Sequence, residues 1–161
     1  MLHRFLPALL LGLALLGCSS DDEGAEGDLQ VATGAAYAAA SAHCVDVINE
    51  YRASIGLPAY ERWADGEACA DGEAKSDAET GKAHGAFPRC GESAQNECPG
   101  WNGAPETMID GCLEMMWNEG PGEDFSKHGH YLNMSNKDYK QVACGFFVTP
   151  SGSVWSVQNF K

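Results

Sequence analysis

The sequence predicts an α+β domain. Three stretches with helical spacing come first, and two short apolar strands close the chain. Spread over these stretches and the loop among them are six cysteines, Cys44, Cys69, Cys90, Cys98, Cys112 and Cys144, an even number that reads as a disulfide framework in an exported domain.

The elements follow in order. Residues 35–55 place Tyr37, Ala40, Cys44, Val47, Ile48 and Tyr51 three and four apart, which predicts an amphipathic helix stopped by Gly56, Leu57 and Pro58. Residues 63–82 are Ala-rich, with Trp63, Cys69, Ala70, Ala74 and Ala78 in helical register, although Gly66 and Gly72 weaken the pattern. Residues 83–104 hold Gly, Pro, Asn and two cysteines and read as a long ordered loop. Pro105 and early acids open a short helix with Met108, Ile109, Cys112, Leu113, Met116 and Trp117, ended by Gly120 and Pro121. A polar loop is expected around His128 and His130. QVACGFFV (141–148), TPSGS (149–153) and VWSVQNF (154–160) then read as strand, turn and strand of an antiparallel hairpin.

The N-terminus has a different character. Arg4 precedes an apolar run from Phe5 to Leu16 that is too short for a permanent span, as in a secretory leader. LLGC resembles the bacterial lipobox. That likeness implies a signal peptide over residues 1–17 and Cys18 as the lipid-bearing mature N-terminus. Ser19 and Ser20 resemble the sorting residues of outer-membrane lipoproteins of the bacterial envelope. Residues 18–34, acidic and Gly-rich, bury too little to offset the entropy of ordering them and read as a flexible linker. Residues 35–161 remain as one domain.

Charge narrows the partners. The chain has 10 basic and 23 acidic residues, and a leader would remove only Arg4. So acidic a surface argues against nucleic acid, which needs a basic face, and against electrostatic docking on an anionic membrane. Membrane attachment would rest on the lipid.

Six cysteines permit 15 pairings. Cys90 and Cys98 are near enough in sequence to close a small loop, leaving the other four to join the helices and the C-terminal strand. Each bridge is worth about 2–4 kcal/mol. No CxxC pair suggests a thiolate zinc site. HExxH and G-x-S-x-G are absent, and a lone HxH at His128 and His130 is a weak metal signal.

The order of motifs from residue 36 to the C-terminus resembles the CAP superfamily of cysteine-rich secretory, antigen-five and pathogenesis-related proteins. Asn49, Arg52, Gly56, Leu57 and Trp63 follow its opening helix scheme. His84 in KAHGAF matches its first histidine. QNECPGW loosely matches its GEN motif, with Glu97 as the acid, Asn96 in place of Gly and Cys98 in place of Asn. MWNE matches W-Y-x-E through Glu119. In GHYLNMSNKDYKQVACGFF, Gly129, His130, Tyr131, Val142, Cys144 and Gly145 match in order, while LNMSN replaces the family's TQVVW segment.

The resemblance implies an α-β-α sandwich and a cleft shared by His84, Glu97, Glu119 and His130. Some members take a divalent metal there, often zinc, and His84 and His130 are the metal-ligand candidates. Imidazole and carboxylate donors suit zinc. Three functions are then expected. One is a lipid-anchored binding module for a lipid or other small amphiphile with a cation-competent cleft. The second is a metal-assisted hydrolase of envelope peptides or esters. The third is a disulfide-stiffened structural or interaction domain with a vestigial site.

Overall fold

The computed structural model describes residues 37–161. The expected leader, the Cys18 lipid site and the linker lie outside the described residues. The elements run α1 (Ala38–Ser54), β1 (Glu61–Arg62), α2 (Ala64–Thr80), β2 (Ala94–Trp101), α3 (Pro105–Trp117), α4 (Phe125–Ser135), β3 (Gln141–Val148) and β4 (Val154–Phe160). The sheet order is β1-β3-β4-β2, with β1 parallel to β3 and the other pairs antiparallel.

The expected α+β sandwich is observed, and strand alternation explains its layers. Val142, Cys144, Phe146, Val154, Phe160 and Cys98 face one way and pack with Ala40, Cys44, Ile48, Ile109, Leu113 and Met116 of α1 and α3. The opposite face of the sheet packs on α2 through Ala70, Ala74 and Val157, flanked by Phe147 and Trp155. Among the described residues no helix is long and apolar enough to cross a membrane.

Two expected loops are regular elements instead. Residues 94–101 of the supposed long loop form β2, an edge strand. It escapes hydrophobic pattern reading because Gln95, Asn96 and Glu97 are buried polar residues. Pro99 falls where the register with β4 shifts, the position a sheet tolerates for proline. The supposed loop at His128 and His130 is helix α4. Its start is marked by Asp124, whose carboxylate accepts from the Ser126 amide at 3.1 Å. Gly129 and the flanking histidines give this helix little intrinsic propensity, so packing decides.

The disulfides join Cys44 to Cys144, Cys69 to Cys90 and Cys98 to Cys112. The small Cys90–Cys98 loop does not form. Cys98 sits on β2 and points to the α1/α3 layer, whereas Cys90 is tied to α2 on the other side of the sheet. The expectation that the C-terminal strand is bridged to a helix holds for Cys44–Cys144.

Two of the matched family residues are structural. Asn49 bonds both backbone groups of Tyr60. Arg52, 1 % exposed, donates to the carbonyls of Pro58, Met134 and Asn136 and lies 3.5 Å over the Tyr60 ring. One guanidinium thus ties the end of α1 to the end of α4. Its charge is met by carbonyl dipoles and a ring face rather than a carboxylate, and burial lowers its pKa.

Asp71 is buried under the sheet, and its carboxylate accepts from the Phe146 amide at 2.7 Å. Burial pushes its pKa up to about 7; the Phe146 amide opposes this and Glu67 adds to it. Between the ordinary carboxylate range and about 7 the fold holds a proton that the unfolded chain has released, so stability falls as pH rises through that window. Asp71→Asn keeps an acceptor for Phe146 and removes the charge. It is expected to stabilise the domain above neutral pH by on the order of 2 kcal/mol, allowing for solvent screening, and to flatten the slope of melting temperature with pH. A slope equal to the parent's would refute the assignment.

Candidate functional site

His84 follows α2 and adopts a left-handed backbone, φ 56°, rare for a residue with a side chain. The turn delivers its amide to Glu97 Oε2 in a short hydrogen bond. The ring is placed by a second contact, His84 Nδ1 to Gln95 Oε1 at 2.9 Å, while Glu97 Oε2 lies 3.7 Å from the same nitrogen. Gln95 and Glu97 alternate along β2 and both face α2. Burial raises the Glu97 carboxyl to about 7; the His84 amide opposes this, while Asp77 and Glu73 add to it.

Glu119 stands just past the end of α3. Trp117 holds that end in place, stacked on Tyr51 of α1 at 5.1 Å and packed against the tilted ring of Tyr131 of α4 at 4.6 Å. Glu119 Oε1 meets His130 Nδ1 at 2.5 Å, and Oε2 accepts from the His130 amide at 3.0 Å. His128 is a neighbour: its Nδ1 bonds the carbonyls of Glu119 and Gly120 at 2.7 and 3.0 Å, fixing the turn that carries Glu119.

The four predicted residues are therefore gathered as two pairs, His84 with Glu97 and His130 with Glu119. Asn96 joins them. It points away from α2, donates to the His130 carbonyl at 3.1 Å and accepts from Asn133 at 2.9 Å. The pairs flank the outer edge of β2, which α4 covers. Among the described residues no three of the four offer ligand atoms within 4.8 Å of one another. A cavity of about 210 Å³ opens between His84, Phe87, Gln95 and Phe125. Sequence reading missed Gln95, Phe87 and Phe125 as site residues. Two exposed phenylalanines, 39 % and 62 % accessible, were the signal available only in three dimensions.

Each ring commits Nδ1 to a carboxylate or amide oxygen, which leaves Nε2 as the atom able to meet a cation or ligand. That is how metal-binding imidazoles are commonly oriented. Both rings have solvent access, with side chains 45 % and 34 % exposed for His84 and His130. Imidazole nitrogens beside carboxylate oxygens are a donor set that suits a divalent cation.

A disulfide-tied three-layer domain with two imidazole–carboxylate pairs at a sheet edge is a defined class. The model of the cysteine-rich secretory protein family, CAP, matches residues 45–160, and the chain belongs to that family. Among solved structures it is similar to Na-ASP-1, at TM-score 0.58 and 14 % identity, over 75 % of this chain and 38 % of that one. It is also similar to NaASP2 with Zn2+, at TM-score 0.53 and 13 % identity, over 74 % of this chain and 77 % of that one. The chain thus spans well under half of the Na-ASP-1 chain. No curated protein matches it.

Proposed function

We propose that this CAP domain is a lipid-anchored binding module of the bacterial envelope, taking a small amphiphile beside a cation held by His84 and His130. The observation that carries the reading is the pairing of exposed Phe87 and Phe125 with His84 and Gln95 around one cavity. Apolar walls beside a polar end suit a molecule with a tail and a head. The oriented imidazoles support the cation, as does the Zn2+ in the NaASP2 structure. LLGC supports the anchor at Cys18, and Ser19 with Ser20 supports its placement in the outer membrane.

Bound there, a zinc ion would supply a fixed positive charge for the amphiphile's head. His84 and His130 would hold it, while Gln95 and Glu119 keep their rings in orientation. The geometry favours binding over hydrolysis. A general base must reach the proton it takes, but the Glu97 side chain is fully enclosed and Glu119 is spent on His130.

The test is a titration of purified protein with Zn2+ and, separately, with a dansyl-labelled fatty acid. His130→Ala should weaken zinc at least about tenfold, the usual scale for loss of a ligand or its support. Phe87→Ser with Phe125→Ser should abolish fatty-acid fluorescence and leave zinc uptake intact. A parent protein that takes up neither probe refutes the proposal.

A further inference from the structure

Behind the His84 pair lies a group of buried acids of which the cleft uses only Glu97, the partner of His84. Glu73 and Asp77, one turn apart on α2, are fully buried; Glu92 and Glu97 are 5 % and 4 % exposed. Six buried side-chain oxygens lack a hydrogen-bond partner among the described residues: Glu73 Oε1, both of Asp77, both of Glu92 and Glu97 Oε1. All belong to this one cluster. Leaving one buried polar atom unpaired is costly, and charged ones more so.

Two side-chain amides converge on one oxygen of the cluster. Gln95 Nε2 and Asn159 Nδ2 both donate to Glu73 Oε2, at 3.1 and 2.6 Å. Glu73 Oε1 is left facing Glu92. Ligand atoms of Glu73, Cys90 and Glu92 lie within 4.8 Å of one another, about twice the bond length of a calcium–oxygen contact. Cys90 is oxidised with Cys69, so its sulfur is no thiolate ligand. Glu92 brings the second sign: it is 5 % exposed, both of its oxygens lack a partner, and it lies inside that group. Asp77, wholly enclosed one turn along α2, adds a further carboxylate that Glu73 repels. The two basic residues acting on Asp77, His84 and Arg89, stand at the surface.

We infer that Glu73 and Glu92 hold a hard divalent cation between α2 and the β2 approach, with Asp77 and Glu97 supplying its surrounding negative charge. Oxygen donors without nitrogen or thiolate select calcium, magnesium or manganese over zinc. Its donors are therefore distinct from the imidazoles, although Gln95 bonds both the His84 ring and Glu73.

The experiment uses the His84→Ala/His130→Ala variant, so that the imidazole pair is silent, and the full chain. Metal content is measured after purification, and melting temperature is recorded in EDTA and in Ca2+, Mg2+ or Mn2+ alone. A bound ion should be retained, or one of the three should raise the melting point by roughly 5 °C or more at saturating concentration. Glu92→Gln, and independently Glu73→Gln, should remove both signals. No retained metal and no shift with any of the three ions would overturn the site and leave protons as the neutralising species. An unchanged shift in both Gln variants would overturn it as well.

Discussion

Gly145→Ala is expected to destabilise this domain by at least about 3 kcal/mol, the upper range for overpacking. A Cβ on Gly145 would stand 2.2 Å from the Ala70 carbonyl carbon and 2.4 Å from the Asp71 amide nitrogen. Both are backbone atoms of α2, so no side-chain rotation relieves the clash. The helix would have to lift off β3. Lifting it opens the Ala70, Ala74 and Val157 contact, strips Phe146 of its Asp71 acceptor, and draws Glu73 away from Gln95 and Asn159. Against a net stability of about 5–15 kcal/mol such a loss is large. Thermal and denaturant unfolding measure it, and the melting point should drop by roughly 10 °C or more. Ala70→Gly in the same chain should not rescue it, because it removes only the third-nearest atom, Ala70 Cβ at 2.6 Å. A variant melting within about 2 °C of the parent would show that α2 is not seated this closely.

What was legible in the sequence depended on what each element buries. α1 and α3 present apolar stripes with Gly or Pro stops, and β3 and β4 are apolar runs around turn chemistry; their bounds fall within a few residues of expectation. β2 and α4 bury Gln95, Asn96, Glu97 and Asn133, and Asn133 of α4 donates to the Asn96 side chain and the Gln95 carbonyl across the sheet edge. Hydrophobic periodicity carries no trace of such an interface. His84, Glu97, Glu119 and His130 came from motif resemblance, not from spacing, because their partners are fixed by tertiary contact. The buried acids of α2 left a faint mark. Ala70, Glu73, Ala74 and Asp77 follow core spacing, so two acids occupy positions where a helix normally places apolar residues.

Removing the Cys44–Cys144 bridge is expected to cost more than removing either of the others. It joins α1 to the centre of β3 over a sequence separation of 100, against 21 for Cys69–Cys90 and 14 for Cys98–Cys112. Loop-closure entropy in the unfolded chain gives about 4.7, 3.3 and 3.0 kcal/mol for the three. Cys44, Cys144, Cys98 and Cys112 are all wholly buried in the larger core, so paired alanines at either bridge also leave a void and chain entropy is what separates them. Cys44→Ala/Cys144→Ala should therefore bring the domain close to the unfolding threshold at body temperature. Cys98→Ala/Cys112→Ala has a different consequence. Its bridge spans β2 and α3, the elements that deliver Glu97 and Glu119, so its loss should loosen the site while the domain stays folded. Urea unfolding of the three double-alanine variants ranks the costs, and zinc titration of each reads the site. If the Cys44/Cys144 variant unfolds within about 0.5 kcal/mol of the Cys98/Cys112 one, chain entropy does not govern these bridges, and native-state packing around each sulfur pair does.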